Sequence, residues 1–141
     1  MDAQGSDVRW KQRFDNLQSA YQRLRWALEI HQQDPGNELI RMAVIKAYEF
    51  TFELSWKTLK DFLIYNGVDA KLPREVLKQA FATGLLNNGQ LWIDMLEERN
   101  LMAHTYDDTR AHKAVDQIQE RYLSGLQQLH DLLATKRQEA P

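Results

Sequence analysis

Apolar residues recur every three or four positions along most of the chain, which is the spacing of helices that bury one face. The first segment begins after Ser6 and Asp7, either of which would cap a helix, and the turn at residues 34–36 (Asp-Pro-Gly) would end it. Its apolar stripe consists of Trp10, Phe14, Leu17, Tyr21, Leu24 and Leu28. The sequence therefore predicts a long amphipathic first helix.

The second segment is apolar around much of its circumference. Asn37 is placed to cap it and Gly67 to end it, so about 28 helical residues would span about 42 Å. We expect this helix to be the central and most buried one, or to present a second face to another copy of the chain. One side carries Leu39, Met42, Ile45, Tyr48, Phe52, Trp56, Leu59 and Leu63, and Val44, Phe50, Leu54 and Phe62 lie elsewhere.

Three further helices complete the pattern. A short one begins at Pro73 and ends at Gly84, a fourth begins near Gln90, and the last begins after Asp107 and carries Gly125 within its apolar stripe. The inward positions of the short helix are Val76, Leu77, Ala80 and Phe81. Strand signals are absent. The predicted fold is all-α, an up-and-down bundle of four long helices and one short helix, in a single domain over 1–141 with a core of about 8–136.

Composition narrows the possible classes of protein. The 141 residues are 43% hydrophobic and 27% charged, which fits one globular domain, and the absence of cysteine excludes disulfides and thiolate chemistry. The formal net charge is only −2, from 18 basic and 20 acidic residues, so RNA would have to bind at a local site or at one built from two chains. The polar start and the lack of an apolar run of about 20 residues make a cytoplasmic protein, with no membrane contact, the expectation.

Metal and cofactor motifs are absent from the sequence. None of the glutamates is followed three positions later by histidine, and the glycines are scattered rather than grouped before a helix. Glu49 and Glu53 lie one helical turn apart and could share a metal, but Lys57 is well placed to form an ion pair with Glu53. We therefore expect no bound metal and no cofactor.

Residues 97–107 combine charged, imidazole and phenol groups, and two interpretations are open. In the structural one, His104 lies at the favourable carboxyl end of a helix and Tyr106 packs against the next helix. In the chemical one, His104 moves a proton to or from RNA while Arg99 holds the scissile phosphate. On an ideal helix Arg99 and His104 lie about 140° apart, whereas Asn100 shares a face with His104. Asn100 would then orient His104, and Arg99 would have to reach round or meet the histidine of a second chain.

The residues Arg99-Asn100-x-x-x-His104-x-Tyr106 resemble the Arg-polar-x-x-x-His motif of HEPN-domain proteins, in the Arg-x4-His-x-Tyr form of HEPN toxins. Over roughly residues 8–130 the chain resembles the nucleotidyltransferase substrate-binding branch of that superfamily. The segments that carry this likeness are 10–14, 48–61, 73–76 and 99–107.

This resemblance implies a five-helix bundle that forms a homodimer or a higher homo-oligomer, with two Arg/His sets lining one cleft. It implies metal-independent RNA cleavage in which Arg99 and His104 are the catalytic pair and Asn100 supports them. It also implies a partner, a nucleotidyltransferase antitoxin, that transfers AMP to Tyr106 and so places negative charge beside the pair. Some members of this branch only bind or present a substrate to a separate nucleotidyltransferase, and the resemblance leaves that alternative open.

Overall fold

The computed structural model describes residues 3–104 and 106–139, which form helices joined by short connections and contain no strand. The α-helices are α1 (Ala3–Gln33), α2 (Glu38–Tyr65), α3 (Pro73–Ala82), α4 (Gly89–Met102), α5 (Asp108–Gln117) and α6 (Leu123–Glu139). A π-helical turn, Ile118–Tyr122, joins α5 to α6, so these three segments form one continuous rod and the bundle consists of five rods. None of the helices in the described part of the chain is long and apolar enough to cross a membrane.

The ends of the helices follow local hydrogen-bonding rules. The side chain of Asn37 caps α2 by accepting from the amides of Leu39 at 3.0 Å and Ile40 at 3.2 Å. The side chain of Asp107 caps α5 in the same way, by accepting from the amide of Arg110 at 2.8 Å. Gly67 follows α2 with φ +84°, the left-handed conformation expected of it. These predicted boundaries are confirmed.

The predicted start of α1 is wrong. The helix begins at Ala3, so Ser6 and Asp7 lie inside it rather than at its amino terminus. Asp7 does not cap the helix, because its carboxylate accepts from the indole of Trp10 at 3.1 Å and binds Lys11 at 2.9 Å, one turn further along. These side-chain contacts hold Asp7 within a regular helix.

The core lies between α1, α2 and the rod formed by α5 and α6. α1 and α2 form an antiparallel pair joined by the predicted turn, and α2 also contacts α3, α4, α5 and α6, which makes it the central helix. The largest fully buried side chains are Trp10, Tyr48, Phe14, Phe52, Leu17, Leu24, Leu59, Leu63, Leu77, Met95, Ile118 and Leu129. The predictions of an all-α bundle and of a central second helix are confirmed.

Some residues that were predicted to face the core are on the surface, at the start of the apolar stripe of α2 and at the end of that of α3. Leu39 and Met42 are 76% and 59% exposed. The predicted stripe runs from Tyr48 to Leu39 in three steps of three residues, and each step falls about 60° short of a full helical turn. Leu39 therefore lies about 180° around the helix from Tyr48 and faces away from the core. Phe81 is also exposed, since its ring lies over the backbone of Gly89 at the start of α4 rather than in the interior. In contrast, Val44 and Phe62 are buried although they lie outside the predicted stripe.

The rod formed by α5 and α6 packs closely on α4. A Cβ atom at Gly125 would lie 2.9 Å from Cδ2 of Leu91, so the glycine permits the close approach that its position in the stripe indicated. The π-helical turn was not predicted. It accommodates one extra residue and brings the ring of Tyr122 to 5.7 Å from that of Tyr48, on which it stacks.

Candidate functional site

The motif residues lie where α4 ends. Arg99 and Asn100 belong to its last turn, Ala103 caps the helix, and the amide of His104 donates to the carbonyl of Leu101 at 3.1 Å. The imidazole of His104 is exposed and makes no hydrogen bond or ion pair with the residues that the structure describes. His104 therefore follows the helix instead of lying on it, and it is accessible from solvent.

The guanidinium of Arg99 is bound by a carboxylate of the central helix. Its Nε donates to Oε2 of Glu53 at 2.8 Å and its Nη2 donates to Oε1 at 2.7 Å, across 46 positions of sequence. The two side chains are 27% and 31% exposed, so this two-pronged ion pair is partly shielded from water. The Glu53–Arg99 pair fixes the end of α4 to the middle of α2.

This pair differs from what helical spacing indicated for Glu53. Lys57, the expected ion-pair partner, instead lies over the ring of Trp56, with Nζ 5.9 Å from the ring centroid. Burial would raise the pKa of Glu53, but the hydrogen bonds and charge of Arg99, the neighbouring Trp56 indole and the charge of Lys57 together outweigh burial and lower that pKa. Glu53 is engaged by Arg99, and no group of three or more His, Asp or Glu side chains in the described residues could hold a metal ion.

Asn100 contacts Arg99 rather than His104. Its Oδ1 accepts from Nη1 of Arg99 at 2.9 Å. The expectation that Asn100 orients His104 assumed a continuous helix, and it fails because α4 stops before His104. Arg99 thus uses three of its five N–H donors within the described chain, and one hydrogen remains on each of Nη1 and Nη2 for a ligand.

Tyr106 lies beside the same turn of α4. Its hydroxyl donates to Oε2 of Glu98 at 3.0 Å, and its ring packs against the core. Burial, the charge of Glu98 and this hydrogen bond together raise the pKa of Tyr106 above its ordinary value. Beneath it, the hydroxyl of Tyr48 donates to the carbonyl of Met95 at 2.8 Å, and burial raises the pKa of Tyr48 as well. Nothing in the sequence pattern indicated the role of Glu98.

A groove of about 680 Å³ adjoins the site between α2 and the start of α5. Its walls include Met42, Met102 and the ring of Tyr106, and at its base the buried Arg41 binds Asp108 at 3.4 Å. This ion pair anchors the start of α5. His104 follows the end of α4, and the Arg41–Asp108 pair lies at the start of the next helix.

An exposed apolar surface, here called the outer face, extends from this groove over α1 and α2. It consists of Trp26, Leu39, Met42 and Phe50, which are 64%, 76%, 59% and 58% exposed. Two further grooves, of about 680 and 360 Å³, lie on this face, and Ala43 lines all three. An apolar surface of this extent is typical of an interaction site.

Comparison with known proteins gives three similarities. The chain is 30% identical over 81 residues to the "Probable ribonuclease HepT" of Haemophilus influenzae (strain ATCC 51907 / DSM 11121 / KW20 / Rd), covering 54% of this chain and 56% of that protein. The chain thus spans little more than half the length of this curated relative. A crystal structure of a protein from Thermus thermophilus has a TM-score of 0.61 and 27% identity, over 75% of this chain and 94% of that one. Residues 12–135 match the family model described as "Nucleotidyltransferase substrate binding protein like". The chain therefore belongs to the nucleotidyltransferase substrate-binding protein family, as its resemblance to that branch of the HEPN superfamily implied.

Proposed function

We propose that this chain is a HEPN-type toxin of a toxin–antitoxin pair, a metal-independent endoribonuclease of the cytoplasm that a partner nucleotidyltransferase inhibits by transferring AMP to Tyr106. The observation that carries the proposal is the position of Arg99, Asn100, His104 and Tyr106 together at one accessible end of α4. Similarity to a protein named as a probable ribonuclease supports the activity, and the family supports the partner.

In the proposed reaction, His104 takes the proton from a ribose 2′-hydroxyl, and a protonated His104, of the same chain or of the second copy, gives a proton to the departing 5′-oxygen. The 2′-oxygen attacks the adjacent phosphorus, the bond from phosphorus to the 5′-oxygen breaks, and a 2′,3′-cyclic phosphate remains. The two N–H groups of Arg99 that bind no partner among the described residues hold the phosphate and stabilise the charge that develops in the transition state. Asn100 helps to hold the guanidinium through its 2.9 Å hydrogen bond.

The charges near Arg99 favour a site shared by two chains. Glu53 binds the guanidinium, and Glu98, which precedes Arg99 and binds Tyr106, adds a second negative charge at this turn, so one chain alone presents no excess of positive charge to a phosphate. A second copy would add another Arg99 and another His104 to the same cleft. The exposed apolar residues of the outer face support a homodimer, because burying them would provide the association free energy.

Transfer of AMP to Tyr106 would inhibit such a site directly. The new phosphodiester would place a negative charge within the turn that holds Arg99, and the nucleoside would occupy space that RNA needs. The groove next to the Tyr106 ring gives the added group room.

The experiment that tests cleavage compares purified wild-type protein with Arg99→Ala and His104→Ala on RNA in EDTA. We expect each variant to lose at least 100-fold in rate, and the wild-type products to carry 2′,3′-cyclic phosphate ends. Two matched controls should retain the activity: Arg121→Ala, which removes another ion-paired arginine, and His112→Ala, which removes another exposed histidine. Equal rates in the wild type and in both site variants would end the proposal.

A second experiment tests the modification. A candidate nucleotidyltransferase and labelled ATP should modify the wild type and not Tyr106→Phe, whereas Tyr65→Phe, a change at another partly exposed tyrosine, should still accept the label. Peptide mass spectrometry that locates AMP on another residue would contradict the assignment to Tyr106.

A non-catalytic role is the second candidate: a subunit that supplies substrate recognition to a separate nucleotidyltransferase. Two observations favour it, namely the description of the family and the engagement of Arg99 by Glu53 within the chain. Stable co-purification with a nucleotidyltransferase, together with the absence of Arg99-dependent RNA cleavage, would favour this candidate over the toxin.

A further inference from the structure

We infer that Glu53 is a positioning residue for Arg99, which makes the central helix α2 part of the site. This inference rests on the proposed RNA cleavage. It starts from the observation that the only carboxylate bound to the Arg99 guanidinium in the described residues comes from α2, and not from α4 or the segment that follows it.

The geometry of the Glu53–Arg99 pair explains how the positioning works. The two oxygens of Glu53 bind Nε and Nη2, which lie along one edge of the planar guanidinium. Two parallel hydrogen bonds prevent rotation of the plane, whereas a single bond would leave it free. The Asn100 amide oxygen binds Nη1, so the plane is held at a third point. The orientation of Arg99 is therefore set before any ligand binds.

The anchor itself is rigid. Glu53 follows Phe52, which is fully buried, and precedes the buried Trp56 by less than one turn. The backbone of Glu53 is thus fixed by core packing. A carboxylate on such a segment can orient Arg99, which lies in the last turn of α4, where helix ends fray.

The same geometry argues against Glu53 as an inhibitory latch that phosphate must displace. Glu53 occupies the edge formed by Nε and Nη2, and the remaining hydrogens are on Nη1 and Nη2. A phosphate can therefore bind the guanidinium while Glu53 stays in place. Removing Glu53 should accordingly slow the reaction, while a latch would give the opposite result.

The test is steady-state RNA cleavage by Glu53→Gln beside Glu49→Gln. Both changes remove one negative charge from α2, and the two side chains are equally accessible, at 31% and 32% exposed. We expect kcat of Glu53→Gln to fall about 10- to 100-fold, because the guanidinium loses its fixed orientation. KM should stay equal or fall, because a negative charge near the RNA is gone. Glu49→Gln should leave kcat unchanged.

A second readout does not depend on activity. The Nε–H group of Arg99 should give an NMR signal that is protected from exchange with water, since it donates to Glu53 at 2.8 Å. In Glu53→Gln that signal should shift and lose protection, and in Glu49→Gln it should not.

The outcomes distinguish the inference from the proposed function. If Arg99→Ala cleaves RNA as fast as the wild type, the proposed function fails and the inference fails with it. If Arg99→Ala is inactive but Glu53→Gln has the wild-type kcat or a higher one, only the inference is overturned. An unchanged Arg99 Nε–H signal in Glu53→Gln would overturn it as well.

Discussion

The hydroxyl of Tyr106 donates a 3.0 Å hydrogen bond to the carboxylate of Glu98, the residue that directly precedes Arg99. The proposed acceptor of AMP is thereby tied to the same helical turn as the proposed phosphate-binding guanidinium. The hydroxyl oxygen can attack a nucleotide only if this hydrogen bond breaks or its proton passes to Glu98. The state of Glu98 therefore affects the reactivity of Tyr106.

Glu98→Gln should lower the pKa of Tyr106. Burial raises that pKa, and so do the negative charge of Glu98 and its hydrogen bond; the substitution removes the charge and leaves the burial. The phenol of the variant should thus ionise at a lower pH than that of the wild type, though still above the ordinary tyrosine value. A ¹³C NMR titration of the tyrosine Cζ signals, assigned with Tyr106→Phe, measures this.

Glu97→Gln is the matched control for this measurement, because Glu97 is the preceding glutamate and is exposed. It removes the same charge without contacting the phenol. A Tyr106 titration that is identical in Glu98→Gln and in the wild type would show that the hydrogen bond has no influence on it.

The contribution of the Glu53–Arg99 pair to stability should depend on pH. Because the pair lowers the pKa of Glu53, its contribution is present above the pKa of the unfolded chain and is lost as the pH falls through the lower folded value. At pH 7 we expect Glu53→Gln to reduce the free energy of unfolding by about 1–2 kcal/mol, as for other charged hydrogen bonds. Urea denaturation at pH 7 and in acid measures the difference, which should close in acid. The same difference at both pH values would contradict this assignment.

The ends of the helices could be predicted because they depend on capping residues close in sequence. The contacts of the candidate site could not, because they join residues that are far apart in sequence. Asn37 and Asp107 cap their helices by accepting from amides two or three positions away. Gly67 has a positive φ directly after the end of α2. Each of these boundaries depends on neighbouring residues alone and can therefore be predicted from a short stretch of sequence. The Glu53–Arg99 pair joins residues 46 positions apart. Helical spacing offered Lys57 as the nearest partner of Glu53, and only the packing of α4 on α2 decides otherwise.

The faces of α2 were only partly predictable for a related reason. A sequence pattern indicates that this helix is apolar nearly all round, but the helices that cover it determine which side is buried. Tyr48 lies in the core, whereas Leu39, half a turn away, lies on the outer face. The alternative that the helix carries a second, exposed apolar face follows from the same pattern.

Replacing two of the tryptophans by alanine should change the free energy of unfolding by very different amounts. Trp56 is buried in the core, so Trp56→Ala should cost about 3–5 kcal/mol and strongly lower the melting temperature. Trp26 is on the outer face, so Trp26→Ala should leave the monomer within about 0.5 kcal/mol of the wild type. Thermal denaturation followed by circular dichroism distinguishes them, and an unchanged melting temperature for Trp56→Ala would contradict the packing of α2.

Phe50→Asp should weaken the proposed homodimer at least tenfold without unfolding the chain. The ring of Phe50 is on the outer face, and a carboxylate there would lose its hydration on association. Leu72→Asp is the control, since Leu72 is an exposed apolar residue that lines none of the three grooves of the outer face. Sedimentation velocity measures the association of both variants. If Phe50→Asp associates like the wild type, the second copy does not bind at this face.

The π-helical turn between α5 and α6 also limits how the length of this chain can vary. In an α-helix each added residue rotates all the following side chains by about 100° around the axis. The wider π-helical turn contains one extra residue, and the side chains of α6 keep their direction because that turn is wider. Deleting a residue between Ile118 and Tyr122 would restore a regular helix. Leu126, Leu129 and Leu133 would then still face the core only if the whole of α6 turned with them. The number of residues between α5 and α6 is therefore constrained by the rotation that α6 needs to keep its apolar side chains in the core.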